Sequence, residues 1–290
     1  MKQYTVFSLL ALLTSASIVA APTQNVYSQE TTGLSAMTLV SFGDGNSTLT
    51  ANLQPTENKT VTYFGGNTTG YLVYPNQNQS GEKVKLPAVV MIHENKGLND
   101  YIEESANLLA KNGYVVLAVD LFNGEVVTNN QERSGELTGA IRENPGIAIE
   151  NMKAAVNYLR SLDNVDPSKI ASLGWCFGGQ QSLRLAINSK DDPLAATVIY
   201  YGRLTNDSQA ISNITSPVLG IFGGKDQSIS VDSVMQFQKA LNDTGITNEI
   251  HVYPNVGHAF ANPSNDNYAP TETADAWKKT LDFLNRNLQG

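Results

Sequence analysis

The chain is poor in the residues that staple or metallate a protein. It has one cysteine, Cys176, and three histidines, His93, His251 and His258. A lone cysteine cannot close an intramolecular disulfide, and no cysteine pair or His-x-x-x-His spacing offers a zinc site, so no metal or other cofactor is expected. Charge is sparse as well, at 16% of 290 residues, and its balance is acidic, with 27 Asp and Glu against 19 Lys and Arg for a net −8. That balance argues against nucleic acid or an anionic membrane surface as partner. Long hydrophobic runs are missing too. The longest apolar core near the start, Val6 to Leu13, is too short for a membrane span.

That core follows Lys2 and is followed by the small residues Val19-Ala20-Ala21, the layout of a secretory signal over residues 1–21. The alternative is an uncleaved N-terminal anchor, since Pro22 obscures the cleavage point. Seven Asn-x-Ser/Thr triplets, at Asn46, Asn58, Asn67, Asn78, Asn206, Asn213 and Asn242, agree with an extracellular or cell-surface location. Residues 22–58 are rich in Thr, Asn, Ser and Gln and cannot bury enough apolar surface to offset their ordering entropy. They read as a polar linker, with Met37 to Phe42 as the one piece able to dock as a strand.

Residues 59–290 then read as one α/β domain. Lys59 to Phe64 and Gly70 to Tyr74 flank a Gly65-Gly66-Asn67 turn as a hairpin. From Pro87 onward, continuous apolar runs such as Ala88 to Ile92, Tyr114 to Val119, Ile170 to Trp175, Ala196 to Tyr200 and Val218 to Phe222 alternate with helical patterns. Fully apolar strands separated by helices predict a mostly parallel sheet covered on both faces. The longer polar connections, Lys96 to Asp100 and Phe122 to Pro145, fall at strand carboxyl ends, where such sheets place their sites.

One of those strands runs straight into Gly174-Trp175-Cys176-Phe177-Gly178-Gly179 and then a helical stretch, Gln180 to Asn188. The pattern is a nucleophile elbow, G-x-S-x-G, with a thiol in place of the hydroxyl; the alternative is a buried structural cysteine in a tight turn. A thiol nucleophile needs a base, and the base needs a third group to orient it. His251 lies inside the strand Glu249 to Tyr253, and His93 precedes the elbow. His258, in a glycine-bearing loop after the last strand, fits the order nucleophile, acid, histidine. Asp226, in the loop after Val218 to Phe222, is the candidate acid, unless it caps the helix that follows. Asp191, Asp192 and Asp207 lie in the same interval without a strand end before them.

These segments, together with His93-Glu94-Asn95-Lys96-Gly97-Leu98 and Gly257-His258-Ala259-Phe260, resemble the dienelactone hydrolase (carboxymethylenebutenolidase) family of α/β-hydrolases over about residues 60 to 290. The resemblance implies hydrolysis of a small lactone or ester by a Cys176–Asp226–His258 triad through a thioester. It also implies that Glu94 contacts the resting thiol and controls its ionisation, and that the backbone N–H groups of Asn95 and Phe177 form the oxyanion hole. The chain departs from the family at Asn262, where an arginine shortly after the histidine grips acidic lactones. A neutral amide supplies no charge-assisted fork, so a weaker preference for anionic lactones is expected, with Arg133 and Arg203 as the remaining cationic candidates. The competing functions are a general carboxylesterase or thioesterase, and a catalytically silent binding module on the same scaffold.

Overall fold

A computed structural model describes residues 55–66, 68–76 and 84–289. The expected signal at 1–21, the strand-like piece Met37 to Phe42 and nearly all of the expected linker lie outside the described residues. In chain order the elements are β1 (Thr56–Phe64), β2 (Thr68–Pro75), β3 (Leu86–Ile92), α1 (Asp100–Lys111), β4 (Val115–Val119), α2 (Gln131–Glu143), α3 (Gly146–Arg160), β5 (Val165–Trp175), α4 (Phe177–Ile187), β6 (Ala196–Tyr200), α5 (Ser208–Ile211), β7 (Val218–Gly223), α6 (Val231–Asp243), β8 (Asn248–Tyr253) and α7 (Pro270–Leu288). Strand β1 begins at Thr56, three residues inside the stretch expected to be linker, because its whole length pairs with β2 from Thr56↔Pro75 to Phe64↔Thr68.

All eight strands form one sheet in the order β1-β2-β4-β3-β5-β6-β7-β8. The pairs β1/β2 and β2/β4 are antiparallel, and every pair from β4/β3 to β7/β8 is parallel. The parallel strands are apolar on both faces because helices cover both. Along β3, Val90 and Ile92 join the core beneath α3 and α6, where Met152, Leu159, Phe237 and Leu241 pack. Their neighbours Val89 and Met91 join the opposite core, beneath Ile102 and Leu109 of α1 and Phe283 and Leu284 of α7. Two cores on one sheet hold the carboxyl ends of β3, β5, β6 and β7 side by side, and the loops that leave them share one rim.

Helix α2 stands inside the connection Phe122 to Pro145, which the sequence suggested was a polar loop. It has no apolar stripe, and only Ser134 and Thr138 are buried. Its start is set by Asn130, whose side chain accepts from the Arg133 N–H at 2.9 Å. Among the described residues no helix is long and apolar enough to cross a membrane.

Candidate active site

Strand β5 meets α4 at Cys176, which has φ 54° and ψ −114°. The turn is possible because both flanks lack side chains. A Cβ on Gly174 would stand 2.2 Å from the Gly178 carbonyl oxygen, and one on Gly178 would stand 2.2 Å from that of Ile92 and 2.5 Å from that of His93. Glycine is therefore required by backbone approach, and the start of α4 is pressed against the end of β3. The Cys176 N–H donates to the Tyr200 carbonyl at 2.9 Å, which ties the corner to β6. Among the described residues five non-glycine residues have positive φ: Asn123, Asn129, Cys176, Tyr201 and Ala259. Asparagine tolerates that region, so the three conformations that carry real strain all fall around the thiol, where strain of about 1–3 kcal/mol each marks a functional site.

The structure brings the thiol and two of its expected partners together. His258 Nε2 lies 3.0 Å from Cys176 Sγ, and His258 Nδ1 lies 2.7 Å from Asp226 Oδ2. The other carboxylate oxygen of Asp226 accepts from the N–H groups of Ser228 at 2.7 Å and Ile229 at 3.0 Å, so the acid is fixed by the turn it begins. The cap of α6 is supplied by Ser230 instead, which accepts from the Ser233 N–H. The loop of His258 is pinned from α7, where Thr273 Oγ1 donates to the Phe260 carbonyl at 2.9 Å, and from Asn267, whose amide donates to the His258 carbonyl at 3.0 Å.

Electrostatics follow from this packing. Burial works against a charged His258, but the bonds to Asp226 and Cys176 outweigh it and push the imidazole up to about 10. Burial likewise works against the Asp226 charge, yet the bond from His258 and the two backbone donors hold its carboxyl below the usual range. The pair is thus built to carry an imidazolium between a carboxylate and a sulfur, and the sulfur sits at the N-terminal end of α4, where the helix dipole favours an anion.

The other two histidines are accounted for. His93 is fully buried, its Nε2 accepting from the Leu121 N–H at 3.0 Å and its Nδ1–H donating to the Glu94 carbonyl at 2.6 Å. Both ring nitrogens are engaged, and burial pushes its pKa down, so it is a neutral structural residue. It stacks on Phe177 at 5.9 Å, bringing the segment after β3 beside the elbow. His251 lies on β8, away from the thiol.

Glu94 has different partners from those the family resemblance implied. Its carboxylate accepts from the Tyr201 hydroxyl at 3.3 Å and from the amide of Asn262, while the thiol faces His258. Burial pushes its carboxyl up, against the pull of Asn262, His258 and Tyr201. Tyr201 also sets its ring edge against His258 at 5.2 Å. Asn262 is itself buried, and its oxygen accepts from Ser264; it braces Glu94. Neither role was visible in sequence. The one signal for Tyr201 was its place just past the end of a strand beside the elbow.

A cavity of about 110 Å³ opens over the thiol and His258, and its wall includes Phe177, Tyr201, Arg142 and Arg203. Phe177 is the first residue of α4, and its N–H is one of the helix's unpaired donors. Asn95 turns its carbonyl to Ser134 Oγ of α2 at 2.7 Å.

Residues 68–288 match the sequence profile of the dienelactone hydrolase family. The chain belongs to that family. Among its relatives is a protein of Methylorubrum extorquens provisionally named carboxymethylenebutenolidase, 29% identical over 212 residues that cover 69% of this chain and 72% of the relative. Protein usf of Aquifex pyrophilus is 30% identical over 207 residues, covering 70% and 89%. The fold is shared with the crystal structure of a dienelactone hydrolase-like promiscuous phosphotriesterase from metagenomic libraries, at TM-score 0.70 and 24% identity over 80% of this chain and 98% of that one. As a dienelactone hydrolase family member with the α/β-hydrolase fold, the chain is an ester-bond hydrolase.

Proposed function

We propose that this hydrolase acts on small lactones or esters through a cysteine nucleophile. The observation that carries the reading is the continuous line from Cys176 Sγ to His258 Nε2 at 3.0 Å and from His258 Nδ1 to Asp226 Oδ2 at 2.7 Å. Cys176 attacks the ester carbonyl as its thiolate, and the C–O bond to the leaving alcohol breaks as His258 delivers a proton to that oxygen. The acyl group is left as a thioester. Water then attacks the thioester carbonyl with His258 as base, and the carboxylic acid and the free thiol are released. Asp226 keeps the imidazole in the one tautomer and orientation that serves both steps. The developing oxyanion is received by the N–H groups of Phe177 and Asn95, a reading supported by the packing of Gly178 against Ile92 and His93. Glu94, joined to His258 through Tyr201, biases the charge of the site from behind.

The test is turnover of 4-nitrophenyl acetate before and after iodoacetamide, with intact-mass detection of the acyl-enzyme. Modification should abolish turnover, the acyl adduct should map to Cys176, and Cys176→Ala should remain folded and inactive. Turnover that survives alkylation of Cys176 would sink the triad. Export is part of the same proposal, with residues 1–21 as the signal and the mature protein outside the cell. N-terminal sequencing that finds Met1 on a membrane-bound form would favour the anchor.

A further inference from the structure

An N–H that is to receive an oxyanion must be free of other partners and fixed in direction before substrate arrives. The Asn95 N–H belongs to the peptide whose carbonyl is that of Glu94, and among the described residues it donates to no protein acceptor. The carbonyl of the same peptide is bonded twice, by the His93 Nδ1–H at 2.6 Å and by the Gly97 N–H at 3.5 Å. In a trans peptide the C=O and N–H point in opposite directions, so a donor that fixes the Glu94 oxygen also fixes where the Asn95 N–H points. The next carbonyl, that of Asn95 itself, is held by Ser134 Oγ at 2.7 Å, so Asn95 is gripped on both sides.

His93 is equipped to be that donor. The Leu121 N–H can only donate, so Nε2, 3.0 Å away, is the bare acceptor nitrogen, and a neutral ring then carries its proton on Nδ1. The tautomer is set by backbone and not by solvent. Leu121 is itself tied, because Asp120 beside it accepts from the N–H groups of Phe122, at 2.8 Å, and Gly124, and the Asp120 carbonyl accepts from Asn151 Nδ2 at 3.1 Å. The His93 ring meets Phe122 edge-on at 4.6 Å and stacks on Phe177 at 5.9 Å. Phe177 carries the second oxyanion donor, so one imidazole contacts both halves of the hole.

We propose that His93 is a positioning residue for the oxyanion hole, its Nδ1–H locking the Glu94–Asn95 peptide so that the Asn95 N–H stays aimed at the carbonyl oxygen under attack. The inference rests on the reading of Asn95 as an oxyanion donor and of Cys176 as the nucleophile. His93 is fully buried and does not line the cavity over the thiol, so it acts through the peptide and not on substrate. A peptide whose oxygen accepts a hydrogen bond is polarised, and its N–H becomes the stronger donor. The bond that orients Asn95 therefore strengthens it as well. Without that bond the peptide would have to reorient at the moment of reaction, the cost that preorganised dipoles avoid.

The experiment reads two reactions of Cys176 that differ in the charge they develop. Hydrolysis of 4-nitrophenyl acetate builds an oxyanion, whereas alkylation by iodoacetamide displaces iodide at a saturated carbon and builds none. His93→Phe keeps the ring and loses the donor. Its kcat/KM for the ester should fall about a hundredfold, roughly the effect of losing one oxyanion donor, while its alkylation rate stays within about twofold of wild type. His93→Asn, whose amide N–H takes the place of Nδ1–H, should recover about tenfold over His93→Phe, and His93→Gln, whose amide reaches the Nε2 position instead, should not. A kcat/KM near wild type in His93→Phe overturns the proposal, and so does an alkylation rate that falls in step with turnover, since the damage is then to the whole corner. Where His93→Phe does not fold, the other two variants decide: His93→Asn faster than His93→Gln by about tenfold upholds the role, and equal rates overturn it. Wild-type turnover that survives alkylation of Cys176 sinks the thiol reading alone, and the ratio of His93→Asn to His93→Gln still decides whether His93 serves ester cleavage.

Discussion

Cys176 and Arg142 line one cavity but come from parts of the chain built in opposite ways. The corner that holds Cys176 is made of backbone: Gly174 and Gly178 sit within contact of neighbouring main-chain oxygens, and strands on both sides are fully buried. Helix α2, which carries Arg142, is polar and largely exposed, with Ser134 and Thr138 as its only buried residues. The first region has no slack, since any atom added to it meets main chain. The second is held by side-chain caps and hydrogen bonds that can be exchanged one at a time. The contrast separates a corner fixed by main chain from a helix fixed by exchangeable side-chain contacts, and substitutions in the two should differ in cost accordingly.

That contrast can be broken most severely at the triad. Asp226→Asn keeps an oxygen for the Ser228 and Ile229 donors but removes the charge that holds the imidazolium. Activity should fall by about three to four orders of magnitude, as expected when the orienting acid of a triad is neutralised. The pH–rate profile gives a second readout. With His258 at about 10, the general acid is lost only on the alkaline side, and in Asp226→Asn that limb should move down toward the ordinary histidine value. An unchanged limb would show that Asp226 does not set the charge of His258. The same shift links to stability: the folded pKa lies above the ordinary histidine value of 6.5, so the contribution is fully present below about 6.5 and is lost as pH rises through about 10.

Gly178→Ala tests the rigidity of the corner itself. Its new methyl would meet the Ile92 and His93 carbonyl oxygens, and backbone cannot yield as a side chain does. A loss of about 3 kcal/mol or more is expected from denaturant unfolding. A variant of wild-type stability would mean that the corner can open.

Asn262→Ala is the next smaller effect. It strips a donor from the buried Glu94 carboxyl, at a cost of about 1–3 kcal/mol, and because burial pushes that carboxyl up, the loss read by thermal melting should grow as pH rises and more of Glu94 ionises. A loss independent of pH would assign Asn262 to packing alone. At the soft end, Arg133→Gln removes an exposed pair with Glu125 and Glu136, and Tm should move by no more than a degree or two. A larger fall would show that α2 is less tolerant than its exposure suggests.

Much of this molecule is legible in one dimension. Fully apolar runs such as Ala88 to Ile92 and Ala196 to Tyr200 can only be strands buried on both faces, because no other local structure hides so many β-branched side chains at once. The glycine-cysteine corner and the spacing to Asp226 and His258 are equally readable, since Cys176 and Asp226 fall just past apolar strands, His258 lies in the loop after the alternating strand β8, and a parallel sheet gathers those ends on one rim. Helix α2 escaped because periodicity reports burial, and a helix held by an Asn cap and two small buried hydroxyls has almost none.

What the sequence by itself determined was therefore the sheet, its rim and the chemical identity of the three residues Cys176, Asp226 and His258. Only the tertiary structure decided how the charges around them are spent. Asn262 turned inward to Glu94, Arg133 outward to Glu125, and Arg142 and Arg203 were left facing the thiol. The reason is physical: an apolar pattern encodes burial residue by residue, whereas the partner of a polar side chain is fixed by which distant segment folding brings within about 3 Å of it.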